Sequence, residues 1–172
     1  MLQRQFSAEG PNQKWVTDVT EFKVLNEKLY LSPILDLYNG EIIAFALSKH
    51  PVFKMVKNML MDAFGKLKAS DKPLIHSDQG RQYRMDEYRH LLASKGLIQS
   101  MSRKGNCLDN AVIESFFGLL KTECFHKQKF TSIDHLASVI KQSIHYYNNE
   151  RIKLKLKGLS PVQYRIQSFE AA

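Results

Sequence analysis

Two carboxylates, Asp78 and Glu114, stand with thirty-five residues between them, and the segments around both present an acidic side chain rather than hide it. Pro73, Leu74 and Ile75 lead an apolar run into His76-Ser77-Asp78, and Gln79-Gly80 breaks it, so Asp78 falls at the C-terminal end of a strand. In open α/β sheets that edge is where ligands bind. From Ser102 to Asn110 the sequence SRKGNCLDN has loop composition, and a helix is expected from about Asn110, capped by Asp109 or Asn110. Glu114 lies one turn inside that helix. Ile113, Phe116, Phe117 and Leu120 supply its apolar stripe, while Asn110, Glu114 and Lys121 share another side. Lys121 falls roughly 10 Å along the axis from Glu114, a spacing suited to a cation beside a bound phosphate.

A third carboxylate, Asp18, sits in WVTDVTEF. Trp15 to Lys23 alternates as a first strand, with Val16, Asp18, Thr20 and Phe22 on one face. Hard cations such as Mg2+ take oxygen ligands and keep several waters, so carboxylates from separate elements suit them. Asp18, Asp78 and Glu114 are therefore read as one divalent-metal site. Two such ions about 4 Å apart activate an attacking oxygen and stabilise a leaving one in phosphoryl transfer.

The remaining elements imply a mixed, five-stranded α/β sheet with helices on both faces. Leu29 to Leu37 and Glu41 to Ser48 read as strands joined through Asn39-Gly40. Pro33 removes a ladder donor there, which predicts a bulge or an unpaired amide. Asp36 is the rival carboxylate, read as a polar residue at a strand end before a turn. Val52 to Leu67 is an amphipathic helix, Pro73 to Ser77 the fourth strand, Arg81 to Lys95 a helix closed by Gly96, and Leu97 to Met101 the fifth strand. Ser132 to Asn148 is a further long helix. Arg151 to Lys157 alternates basic with apolar residues, either as an edge strand or tail with a solvated basic face or as a phosphate-tracking strip beside the site. Ser160 and Pro161 then open a final helix. Residues 1–14 read as an arm or linker, 15–150 as the core, and 151–172 as a basic extension packed on or beside it.

Net charge is +8, an excess that favours phosphate-rich partners once a phosphoryl-transfer site is present. No apolar run approaches a membrane span and no signal-peptide pattern opens the chain, so a cytoplasmic location is expected. Cys107 and Cys124 form no C-x-x-C pair, which argues against structural zinc and fits a reducing compartment.

The segments WVTDVTEF, IHSDQGRQY, SMSRKGNCLDNAVIESFFGLLKTE and YYNNERIKLKLKGLSPVQYR closely resemble the catalytic core of bacterial insertion-sequence transposases of the retroviral-integrase superfamily. The resemblance runs from about Asn12 to Arg165. It implies a ribonuclease-H-like fold, with Asp18, Asp78 and Glu114 as catalytic, metal-binding residues and Lys121 as the basic residue seven positions after the glutamate. It also implies two Mg2+ or Mn2+ ions, and hydrolysis at transposon ends followed by strand transfer. The implied partners are transposon-end and target DNA and further copies of the chain, as a homodimer or higher multimer. Helical DNA-binding regions precede such cores in the family, so an upstream helix-turn-helix domain or protein is expected as well. Arg103, Lys104, Asn110, Lys121, Arg151, Lys153 and Lys155 are the candidate DNA contacts, Asn110 serving chiefly as a helix cap. Two other readings compete: a nuclease of the same fold that cuts without joining, and a non-catalytic DNA-binding or oligomerisation remnant of a transposase.

Overall fold

The computed structural model describes residues 7–102 and 110–170, so Arg103, Lys104 and the alternative cap Asp109 lie outside the described residues. Strands β1 (Lys14–Thr17), β2 (Thr20–Val24), β3 (Glu27–Asp36) and β4 (Ile42–Ser48) come first. Helix α1 (Phe53–Phe64), strand β5 (Leu74–Ser77), helix α2 (Asp86–Ala93) and strand β6 (Ile98–Met101) follow. The chain ends with α3 (Ala111–Leu120), α4 (Ile133–Asn149) and α5 (Pro161–Glu170).

The expected first strand is divided in two at Asp18-Val19, which makes six strands of the anticipated five. Its register is nevertheless continuous. Thr17 pairs with Ile34 and Thr20 with Leu31, both antiparallel on β3. On its other side β1 pairs in parallel with β5, and β5 in parallel with β6. The expected disturbance around Pro33 appears as a register shift between Ile34 and Leu35 on the β4 side, while Pro33 itself stays opposite Phe45.

Alternation along the strands feeds two cores, one on each face. Val16, Phe22, Leu29 and Leu31 pack with Ile113, Phe116 and Leu120 of α3 and with Leu136, Ile140 and Ile144 of α4. Trp15, Ile34 and Ile75 face the other way, onto Val56, Met59 and Leu60 of α1 and Tyr88 and Leu92 of α2. Helix α2 is shorter than the periodicity suggested, because Arg81–Arg84 forms a separate 3-10 turn before it. Gly96 closes it at φ 65°, with the Leu97 N–H donating back to the Leu92 carbonyl at 3.0 Å.

The C-terminal helix is capped and latched. Ser160 Oγ accepts the Gln163 N–H at 3.3 Å and Gln163 Oε1 accepts the Ser160 N–H at 2.9 Å, a reciprocal capping box with Pro161 at the first helical position. Arg165 reaches Asp36 at 2.6 Å and also pairs with Glu41. Asp36, fully buried, further accepts the Asn12 and Tyr38 N–H groups at 2.8 and 3.0 Å. This rival carboxylate is thereby consumed in holding α5 and the entering chain to the sheet. Among the described residues no helix is long and apolar enough to cross a membrane.

Candidate active site

Parallel pairing of β1 with β5 is what brings two of the three carboxylates together. Val16 lies beside His76 and Thr17 beside Ser77, so the next residues in register are Asp18 and Asp78. Adjacent strands lie roughly 5 Å apart, which makes the two aspartates neighbours at the C-terminal ends of their strands. Alternation also sets the face. Val16 and Phe22 point into the core beneath α3, so Asp18 between them belongs to the side where Glu114 is carried.

Local hydrogen bonds hold both aspartates. Asp18 accepts the N–H of Val19 at 2.7 Å. Asp78 Oδ1 accepts the Gly80 N–H at 2.8 Å, and Gln79 Nε2 donates to the Ser102 carbonyl at 3.1 Å. Gly80 is required by space rather than by its dihedral angles. A Cβ there would stand 2.8 Å from Asp78 Oδ1 and 3.2 Å from the Tyr83 ring.

Burial pushes the Asp18 carboxyl up to about 6; the negative charges of Asp78 and Glu114 add to the rise, while the Val19 N–H and the Asn110 side chain oppose it. Glu114 sits exposed in the first turn of α3. It faces the aspartates at electrostatic range. Among the described residues no three His, Cys, Asp or Glu side chains close into a ready-made ion cage. The donor set nonetheless suits a hard divalent cation: all oxygens, with the most deeply set carboxylate raised by burial and by two like charges that a cation would offset.

Asn110 occupies the N-cap position of α3, but its side chain makes no capping bond. The amide is instead turned to Asp18, and its buried Oδ1 finds no partner among the described residues. The preference for a capping role is thereby corrected. His76 is 2% exposed and its Nδ1 meets Ser100 Oγ at 3.0 Å, which makes it a core histidine. Lys121 begins a π turn, Lys121–Phe125, and its ammonium lies 5.5 Å from the Phe22 ring centroid rather than on any carboxylate among the described residues. A pocket of about 260 Å3 opens beside Asp18 and Asp78, walled by Tyr30, Pro51, Gln82 and Tyr83.

The basic segment is neither an edge strand nor adjacent to this site. It forms one bridge, Lys153 to Leu159, around a 3-10 turn Leu154–Leu156. Arg151 is paired with Glu123. Lys153 donates to Tyr147 Oη at 2.6 Å, and Tyr147 in turn donates to the Gly40 carbonyl at 2.9 Å. Gly40 belongs to the β3–β4 turn, whose Leu37 N–H bonds to the Lys14 carbonyl, at the start of β1 and away from Asp18. Lys155 is exposed.

Sequence comparison supplies the family. The integrase core domain matches residues 8–107, and a second family described as integrase core domain matches residues 114–169. The chain is 57% identical over 169 residues to the putative transposase InsK of insertion sequence element IS150 from Escherichia coli strain K12, covering 98% of this chain and 60% of that protein. It is 55% identical over 168 residues to an uncharacterized transposase-like protein of Haemophilus influenzae, covering 98% of this chain and 77% of that one. The fold is shared with the HTLV-2 integrase catalytic core domain solved with magnesium in a trimeric form, at TM-score 0.73 and 19% identity over 92% of this chain and 99% of that one. Two core-domain matches spanning both halves of the site, and relatives that align over nearly its whole length, make this chain a member of the integrase core domain family, with the ribonuclease-H-like catalytic core of an insertion-sequence transposase.

Proposed function

We propose that this chain cuts and joins DNA strands at the ends of a mobile element, with Asp18, Asp78 and Glu114 as its catalytic carboxylates. The observation that carries the reading is the β1–β5 register, which sets Asp18 beside Asp78 under the helix that bears Glu114. The three carboxylates would hold Mg2+ or Mn2+, two ions in our reading. When bound, these supply the Lewis acidity that activates an attacking oxygen and stabilises a leaving one.

The chain's own residues do the positioning. The Gly80 N–H fixes one Asp78 oxygen and leaves the other available. Asn110 orients Asp18 and offers a buried acceptor to a water or sugar hydroxyl. Lys121, on the Glu114 side of α3, supplies positive charge for a phosphate. No side chain needs to form a covalent bond to DNA, because the same carboxylate set serves a water in hydrolysis and a 3′ hydroxyl in joining. The neighbouring integrase cores were solved in trimeric and dimeric forms, and we take this chain to work as a homodimer or larger assembly on transposon-end and target DNA, with an upstream helix-turn-helix unit for end recognition.

A branched DNA that mimics the strand-transfer product tests this without requiring end recognition. Incubated with Mn2+, the chain should reseal it, and EDTA or Glu114→Gln should abolish resealing. Cutting without resealing would make it a nuclease of the same fold. Resealing retained by Glu114→Gln would remove the carboxylate assignment.

A further inference from the structure

An alternating basic and apolar segment ordinarily turns its lysines to water and its leucines inward. From Ile152 to Leu154 the structure does the reverse, before the ordinary pattern resumes with Lys155 and Lys157 exposed. Leu154 is 96% exposed and Ile152 68% exposed. Lys153 is instead tucked against the protein, its ammonium 4.1 Å from the centroid of the Tyr147 ring, and burial, with the Arg151 charge, pushes its pKa down to about 8. Leu156 alone of the turn's leucines is buried.

The loop that displays Leu154 is pinned shut. The Lys153 N–H donates to the Leu159 carbonyl at 3.0 Å, while the Gly158 and Leu156 N–H groups return to the Lys153 carbonyl at 3.1 and 2.9 Å. Lys157 and Gly158 take φ values of 57° and 78°, the first of them in a region that residues bearing a Cβ disfavour. Ile152 and Leu154 are thereby held in solvent on a backbone fixed by its own hydrogen bonds, beside the exposed Lys155 and Lys157.

We infer that this loop is a wedge for duplex DNA, with Leu154 entering a groove or base step while the exposed Lys155 and Lys157 take the flanking phosphates. Charge selects the partner, since no Asp or Glu occurs between Arg151 and Phe169. Apolar wedges flanked by cations are a general means of prying base steps. A second copy of the chain is the weaker occupant. Its groove of about 510 Å3 between α3 and α4 is rimmed by Lys127 and Arg151, and its Glu123 is already paired with Arg151. The loop lies near the start of β1, so four strand residues, roughly 13 Å, separate its end of the sheet from Asp18. It would therefore grip duplex at a distance from the reacting phosphate rather than at it. The inference rests on DNA as partner but not on the carboxylate chemistry.

The experiment is a salt titration of binding to a fluorescent duplex, paired with permanganate probing of unstacked thymines. Leu154→Ser, at a site too exposed to affect folding, should weaken binding about tenfold at every salt concentration without changing the slope of log Kd against log salt. It should also remove permanganate reactivity that the wild type induces. Lys155→Gln with Lys157→Gln should instead lower that slope by about 2. Unchanged affinity and reactivity in Leu154→Ser would overturn the inference. So would a change confined to sedimentation, which would assign the loop to a second copy. A wild type that reseals branched DNA while Leu154→Ser behaves identically keeps the proposed function and discards the wedge; a chain that binds no duplex removes both.

Discussion

Asp18 stands opposite Pro33: Thr17 pairs with Ile34 and Thr20 with Leu31, and counting inward along that register places the imino acid against the carboxylate. Proline has no N–H to give a ladder. The first strand divides at this point, and the Asp18 side chain takes up the N–H of Val19. The reactive group thus sits in the break between β1 and β2, at the C-terminal end of β1.

Asp18 is held at about 6, chiefly by burial, in a folded chain whose unfolded form titrates near 3.8. The folded state binds the extra proton, so this group's contribution is fully present below 3.8 and is lost as pH rises through about 6. Asp18→Asn should then be more stable than wild type at pH 7.5 in EDTA by roughly 2–3 kcal/mol, with the difference shrinking toward pH 4. Thermal melts of the two proteins across that range check it. Equal stability at both ends would remove the burial penalty and the like-charge contribution to it.

Divalent cation should reverse the same penalty. Mn2+ at pH 7.5 is expected to raise the wild-type melting temperature by a few degrees, corresponding to about 1–3 kcal/mol at saturation. Below pH 6 protons compete for Asp18 and the shift should fade. Asp18→Asn should show little or no shift at either pH.

Gly80→Ala places a methyl 2.8 Å from Asp78 Oδ1 and should displace the carboxylate by several tenths of an ångström. Activity on branched DNA is expected to fall about 10–100-fold, since misplacement of a reacting group by about 1 Å reaches the upper figure. Circular dichroism should report an intact fold. A variant with wild-type activity would show that the Asp78 position is not set by this approach.

Arg165→Ala strands the fully buried Asp36 without its cation, and urea unfolding should register a loss of about 3–5 kcal/mol. Asp36→Asn should also destabilise, yet leave the Mn2+ response of the folded protein in place. Loss of that response would return Asp36 to the list of candidate metal ligands.

The integrase-type core was legible because its signals are local. Alternation from Val16 to Phe22, helical spacing from Ile113 to Leu120, and Gly96 and Ser160 as terminators each depend on a few neighbouring residues, and hydrophobic burial enforces them whatever lies further along. Asp78 and Glu114 were proposed from a strand end and a helix start, and Asp18 chiefly from the resemblance to the transposase core. Tertiary structure decided how groups distant in sequence share one environment. The raised pKa of Asp18, the turn of Asn110 from cap to carboxylate, and the capture of Asp36 by Arg165 all require elements brought together across the fold. The basic segment marks the boundary most clearly. Its period of two predicts a strand, but the Tyr147 ring and the closure from Lys153 to Leu159 hold a lysine inward and a leucine outward, because long-range contacts outweigh a pattern only a few residues long.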